Sequence, residues 1–254
     1  MVRVFKEPLK RIIAPLVDGR PSGMNGRFGD SLTYTLSLSY AENLNGFVEA
    51  ALVLQKDLVN LFEYVSPSSQ NFDTFSIQIH QLLVRVCIEI EANFKAILIE
   101  NGYSKRGNLN ITDYKRVGEI AALSFYEVKI HGWTETADVF APFSGWSDGK
   151  TPMWWVGYNA AKHDRSKEFH QANFGNLVNA FCALFSLLAA QIHFRSFEPP
   201  SFGITIIDGE VPDFYPMFAR RFLIKFPPAE RYRIRYDFDT TGKFVCGKIP
   251  WDEF

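Results

Sequence analysis

One short segment of the chain concentrates the residue types that phosphate chemistry requires. It runs from Trp154 to His170, and its cationic or titratable side chains belong to Lys162, His163, Arg165, Lys167 and His170. Histidine titrates near neutral pH, and the arginine guanidinium is permanently charged and matches the shape of a phosphate. The segment predicts phosphoryl or nucleic-acid chemistry, and its composition also fits a basic connection between two helices.

The spacing of Arg165 and His170 limits how the two side chains could cooperate. Residues five apart in a continuous α-helix point about 140° away from each other. They can converge if Arg165 lies in a turn and His170 lies in the first turns of the next helix, where the helix N-terminus also favours an anion. The run from Lys162 to Ser166 indicates such a break.

The motif Arg165-Ser-Lys-Glu-Phe-His170 resembles the Arg-x4–6-His signature of the HEPN superfamily, whose helical-bundle members include many metal-independent RNases of defence and toxin systems. The residues from Tyr158 to Arg165, followed by Phe169 and an apolar helix, are also similar to a bacterial branch of HEPN-like proteins. The resemblance covers residues 73–193 at most. Ser166 departs from the Asn, Asp or His that usually follows the Arg in this family.

The resemblance implies RNA cleavage through the 2′-hydroxyl, with His170 as general acid/base and Arg165 on the phosphate charge. His163 is a third candidate catalytic residue. HEPN sites are commonly composed from two protomers, so a homodimer is implied, together with an antitoxin partner for a toxin and no cofactor. The candidate substrate-binding residues are Lys162, Lys167, Asn159, Arg85 and Glu89.

Three alternatives stay open. In the first, the same residues only organise the turn of a non-catalytic HEPN-like module that binds nucleotides or proteins. In the second, His163, Asp164 and His170 bind a metal ion, because the adjacent His163-Asp164 pair resembles the metal-binding His-Asp pair of HD-type phosphohydrolases. In the third, the basic residues of segment 231–238 bind single-stranded nucleic acid by stacking and phosphate contact, or form one solvated face of a strand.

The elements around this segment are mostly helical. Apolar residues at helical spacing predict helices over 41–64, 73 or 74–100, 111–120 and 166 or 171–193, with another beginning near Pro152. Alternating patterns predict strands over 31–40, 123–130, 202–207, 222–226 and 231–238. We therefore expect a mainly α protein, an antiparallel HEPN-like helical bundle with additional strands, especially at the C-terminus.

Composition indicates a soluble cytoplasmic protein. The 254 residues are 47% hydrophobic and 22% charged with a net charge of −1, so nucleic-acid binding would need a local patch. The three cysteines predict reduced core residues. Leu177–Ile192 is too short for a membrane span and predicts a buried helix. The expected division is an extension over 1–70, the bundle over 71–197 and a β-rich extension over 198–254.

Overall fold

The computed structural model describes residues 2–19, 35, 39–135, 138–192, 214–217, 221–238 and 246–254. These residues form the helices α1 (Leu44–Leu61), α2 (Ile77–Glu100), α3 (Ile111–Ile120), α4 (Met153–His163), α5 (Arg165–Glu168) and α6 (Phe174–Ile192). The strands are β1 (Arg3–Phe5), β2 (Glu127–Ile130), β3 (Tyr215–Met217), β4 (Phe222–Lys225) and β5 (Ile234–Tyr236). The predicted mainly helical character is confirmed.

Helix α6 is the centre of the core. Every residue along it is buried except Asn176 and Asn179, which are half-buried. It packs most extensively against α2 and also contacts α4, β2 and β4. Within the described residues it is the one helix long and apolar enough to cross a membrane, but 89% of its apolar window is buried inside the protein. The prediction of a buried core helix is confirmed.

The ends of two predicted helices are set by polar side chains. Helix α2 begins at Ile77 and not at 73 or 74, because the Ser76 hydroxyl caps it by accepting from the Ile79 amide at 3.2 Å. Helix α3 is capped by Asn110, whose side chain accepts from the Thr112 amide at 3.0 Å. Asp113 completes a capping box from the third helical position.

The strands form two small sheets. Strands β1 and β5 pair in parallel, and β4 lies between β2 and β3 with antiparallel pairing on both sides. Part of the strand predicted over 123–130 is a 3-10 helix at Leu123–Phe125, and only Glu127–Ile130 pairs with β4. The strand predicted over 202–207 lies outside the described residues, as does most of the one predicted over 31–40.

The loop between β2 and α4 is rich in aromatic residues. Trp133, Phe140, Phe143 and Trp146 are all buried. Phe143 stacks on Trp146 with ring centroids 4.6 Å apart, and both contact Phe94 of α2. The loop is therefore part of the core.

The arginines of segment 231–238 do not form the predicted basic stripe. Only Ile234–Tyr236 is a strand, and Arg235 is buried with its guanidinium donating to the carbonyls of Tyr232 and Ile234 at 2.9 and 3.0 Å. The Arg233 guanidinium pairs with Glu119. Because Arg235 is buried whereas Arg231 and Arg233 are exposed, the three arginines do not share one solvated face.

The cysteines are free thiols. Cys87 and Cys182 are buried and Cys246 is half-buried. Burial raises the pKa of the Cys87 and Cys182 thiols well above the ordinary value, so both are protonated. The prediction of reduced core cysteines is confirmed for these two.

Candidate functional site

The segment that links α4 to α6 is broken by one acidic residue. Asp164 ends α4, and its carboxylate then caps α5 by accepting from the Lys167 amide at 3.3 Å and the Ser166 hydroxyl at 2.7 Å. A 3-10 helix over Phe169–Gln171 follows. We call residues 162–173 the basic connection. The break expected between Lys162 and Ser166 is confirmed.

The structure changes the expected placement of the two leading candidates. Arg165 is the first residue of α5, not a turn residue, and His170 lies in the 3-10 helix and not in the first turns of α6. Both side chains are exposed. In the described part of the chain no hydrogen bond or ion pair joins them, so both are exposed on the connection without being a bonded pair.

Each of the two candidates has a local contact. The Arg165 guanidinium lies 5.5 Å from the centre of the Phe169 ring, a cation–π contact. The His170 Nε2 atom lies 3.1 Å from the Gln171 side-chain amide nitrogen. A substrate phosphate would have to compete with these two contacts, which are weak because both groups face solvent.

Phe169 anchors the basic connection to the start of α2. Its ring meets Phe75 edge-on with centroids 5.7 Å apart and lies 5.6 Å from the His80 ring. The His80 Nε2 atom is buried and has no hydrogen-bond partner among the described residues. The sequence did not identify Phe75 or His80 as neighbours of the connection, because they lie about ninety residues earlier in the chain.

Lys162 is drawn toward α2 by a polar network. Its Nζ donates to the Tyr158 hydroxyl at 3.0 Å, and that hydroxyl donates to Glu91 Oε1 at 3.1 Å. Lys95 donates to the other Glu91 oxygen at 3.2 Å, a pair four residues apart on one helix. Burial and the Glu91 charge raise the pKa of Tyr158, so its hydroxyl stays protonated.

A second tyrosine lies near the same carboxylate. Tyr114 is buried, and its hydroxyl has no hydrogen-bond partner within the described structure. Burial and then the Glu91 charge raise its pKa. Glu91, Tyr114 and Tyr158 were not among the predicted site residues. The sequence signals for this network are the four-residue spacings of Tyr158 and Lys162 and of Glu91 and Lys95, each pair on one helix.

The remaining predicted substrate-binding residues divide between two places. Lys167 is 79% exposed on the connection, with its Nζ 3.7 Å from Asp164. The Asn159 amide donates to the Trp155 carbonyl at 2.9 Å, inside its own helix. Arg85 and Glu89 lie on α2, and neither is bonded to a residue of the basic connection in the described structure.

Arg85 and Glu89 are four residues apart on α2, a spacing at which side chains can pair, but Arg85 does not bond Glu89. Its guanidinium instead bonds Asp57 of α1 at 2.6 Å, beside a groove of about 310 Å³ between α1 and α2. The Glu89 carboxylate has no bond to a side chain in the described structure, and burial raises its pKa. The basic connection therefore holds Lys162, His163, Arg165, Lys167 and His170 without these two residues.

The described residues give no support to a metal site at His163, Asp164 and His170. Among the described residues no group of three His, Cys, Asp or Glu side chains is arranged to hold a metal ion. The Asp164 carboxylate is already engaged by Ser166 and Lys167.

Comparisons of this chain with family models, with curated proteins and with solved structures found no match.

Proposed function

We propose that the basic connection binds RNA phosphates and that His170 and Arg165 cleave RNA there, in a HEPN-like helical bundle. The observation that carries this proposal is the exposure of five cationic or titratable side chains within nine consecutive residues. Within residues 162–170 the cations Lys162, Arg165 and Lys167 outnumber the carboxylates Asp164 and Glu168. Asp164 is also engaged as a helix cap. A local positive surface attracts a polyanion even though the net charge is −1.

Cleavage at this site would use the ribose 2′-hydroxyl as the nucleophile. His170 would accept the 2′-hydroxyl proton, and the oxygen would attack the adjacent phosphorus. Arg165 would stabilise the charge that develops on the phosphate oxygens. The protonated His170 would return its proton to the leaving 5′-oxygen, giving a 2′,3′-cyclic phosphate and a free 5′-hydroxyl. All of these steps use side chains of the protein and no cofactor.

Incubation of the protein with end-labelled single-stranded RNA in the presence of EDTA tests this proposal. We expect cleavage with cyclic phosphate ends and no cleavage of RNA that carries a 2′-deoxy nucleotide at the cut. His170→Ala should lower the rate about 10²–10⁴-fold, and Arg165→Ala about 10²–10³-fold. His163→Ala measures the contribution of the third candidate.

The matched control is His131→Ala, because His131 is exposed and lies outside the basic connection. It should cleave at the parent rate. If His170→Ala cleaved RNA as fast as the parent while remaining folded, His170 would not be the acid/base and the proposed chemistry would be wrong.

A non-catalytic binding module is the second candidate. The observation that favours it is that Arg165 is stacked on Phe169 and His170 is bonded to Gln171. In this case the parent binds RNA without cutting it. Lys162→Ala and Lys167→Ala would weaken binding and reduce its salt dependence, whereas the exposed Lys56→Ala of α1 would not. Fluorescence anisotropy at several salt concentrations separates the two candidates.

A further inference from the structure

Phe75 is an exposed aromatic side chain next to the basic connection. It is 49% exposed, and among the described residues it is the one phenylalanine that is exposed and not buried or half-buried. A single exposed apolar residue is common on protein surfaces, so its meaning depends on what lies beside it. Beside Phe75 lie the cations that we propose to bind RNA.

The backbone holds the Phe75 ring against the end of the basic connection. Phe75 and Asn173 form an isolated antiparallel β-bridge, and the Phe174 amide donates to the Thr74 carbonyl at 2.8 Å. The Ser76 hydroxyl caps α2 directly after Phe75. Because backbone bonds and a helix cap surround it, Phe75 has a fixed place relative to the connection.

The Phe75 ring and the Arg165 guanidinium contact the same phenyl ring. The centroid of Phe75 lies 5.7 Å from that of Phe169, and Arg165 Cζ lies 5.5 Å from the Phe169 centroid. The exposed ring and the guanidinium are therefore at most about 11 Å apart. A nucleotide with its phosphate at Arg165 can place its own base or the next base at Phe75.

This combination of side chains suits an unpaired nucleotide. Cations attract the phosphates, and the flat face of a base stacks on an aromatic ring whatever the base is. Ile77 is 51% exposed and adds apolar surface two residues after Phe75. Inside a duplex, the neighbouring base pairs cover both faces of a base, so the ring could not reach it.

We propose that Phe75 stacks on the base of a nucleotide whose phosphate is bound at Arg165, so that the site selects RNA that is unpaired at this nucleotide. The proposal rests on the proposed function, because it requires that the basic connection binds RNA, with or without cleavage. Phe75 contacts the substrate but takes no part in proton transfer. By holding the base, it positions the adjacent phosphodiester next to Arg165.

Fluorescence anisotropy with a labelled single-stranded 2′-O-methyl RNA tests the proposal, because this RNA lacks the nucleophile and is not cut. Phe75→Ala should weaken binding about 5- to 100-fold, the effect of losing one base–aromatic stack. Phe75→Trp should bind at least as tightly as the parent. Phe75→Leu should bind as weakly as Phe75→Ala, since leucine keeps an apolar side chain but has no flat ring.

The matched control is Tyr64→Ala. Tyr64 is 84% exposed and lines the groove between α1 and α2, and its ring contacts no residue of the basic connection in the described structure. This variant should bind RNA like the parent. Circular dichroism and thermal melting verify that every variant is folded.

An abasic ribose placed at each position of the RNA in turn separates stacking from a structural role of Phe75. For the parent, one abasic position should weaken binding by about the same factor as Phe75→Ala. The Phe75→Ala protein should lose no further affinity at that position, because the stack is already absent. Phe75→Ala should also leave the salt dependence unchanged, whereas Arg165→Ala should reduce its logarithmic slope by about 0.7.

Three results would overturn the stacking proposal alone, with RNA binding by the parent intact. In the first, Phe75→Ala binds the RNA as tightly as the parent. In the second, it loses the same affinity for the intact RNA and for every abasic RNA, which would make Phe75 a structural residue. In the third, the parent binds a fully paired duplex as tightly as the single strand. A parent that binds no RNA would overturn the proposed function and this proposal together.

Discussion

A single glycine allows α4 to lie directly on the basic connection. A Cβ atom at Gly157 would be 2.3 Å from Nδ2 of Asn176 and 2.8 Å from the carbonyl oxygen of Gln171. These two groups are themselves bonded, since the Asn176 amide donates to the Gln171 carbonyl at 2.8 Å. The glycine therefore fixes the distance between α4 and the 3-10 helix that carries His170.

Gly157→Ala should lower the free energy of unfolding by about 1–3 kcal/mol, because the added methyl overpacks a contact with backbone. The matched control is Gly145→Ala, where the nearest atom to the new Cβ is at 3.4 Å and little has to move. Urea denaturation of both variants measures the difference. Equal stability of the two would contradict the close approach of α4 to Gln171.

The polar contacts of Lys162 show how one residue can differ from its sequence neighbours. Lys162, Arg165 and Lys167 have the same charge and similar exposure, but only Lys162 reaches the Tyr158 hydroxyl. Its charge is partly offset by the Glu91 carboxylate, to which it is linked through the Tyr158 hydroxyl. We therefore expect Arg165 and Lys167 to contribute more of the phosphate contact than Lys162.

At the scale of elements, α3 shows how a helix start depends on a buried charge. The Asp113 carboxylate accepts from the Asn110 amide at 2.8 Å, the Tyr103 hydroxyl at 2.7 Å and Lys105 Nζ at 2.8 Å. Burial alone would raise its pKa, but the bonds from Lys105, Tyr103 and Asn110 outweigh burial and lower it below 3.8. The ionised carboxylate is therefore the form that the fold stabilises.

This lowered pKa makes stability depend on pH with a definite sign. The folded state binds the Asp113 proton more weakly than the unfolded state, so the contribution is fully present above the ordinary pKa of 3.8 and is lost as pH falls through the lower folded pKa. Asp113→Asn should cost roughly 1–3 kcal/mol at pH 7. Urea denaturation at pH 3 should give a smaller difference in the free energy of unfolding between the parent and this variant than at pH 7.

Asp148→Asn is the control for this pH experiment, because Asp148 is exposed and its one described side-chain bond, from Ser147, is long at 3.4 Å. It should change stability little at either pH. A gap for Asp113→Asn that stayed constant between pH 7 and pH 3 would show that the ionised carboxylate is not the source of the stabilisation.

At the scale of the whole molecule, one buried arginine joins distant parts of the chain. The Arg11 guanidinium is 1% exposed and bonds Glu100 at the end of α2 at 2.5 Å and Gln191 at the end of α6 at 3.2 Å. It also donates to the carbonyl of Glu42 just before α1 and stacks on Phe47. The N-terminal segment is thus tied to the ends of three helices.

Arg11→Ala should destabilise the protein by about 3–5 kcal/mol, since it leaves the largely buried Glu100 without its cation. Arg3→Ala removes an exposed ion pair with Glu253 and should cost about 1 kcal/mol or less. Thermal melting of the two variants gives the comparison. A similar loss for both would mean that the Arg11 network does not hold the helix ends together.

The main helices and the core could be predicted from local sequence pattern, although the short α5 and the first residues of α1, α2 and α6 could not. The apolar stripes of α2 and α6 repeat at the helical period, and such local periodicity is visible without any neighbour. The buried helix at the centre, the break at Asp164 and the packed aromatic loop follow from composition and spacing of nearby residues in the same way.

Contacts between side chains of different helices could not be predicted from the sequence. Arg85 lies at pairing distance in sequence from Glu89 but bonds Asp57, and Lys162 is linked to Glu91 through Tyr158. The end of α2, the end of α6 and the N-terminal segment meet at Arg11. Contacts between residues far apart in the chain depend on how helices pack against each other, and the period of one helix carries no information about its neighbours.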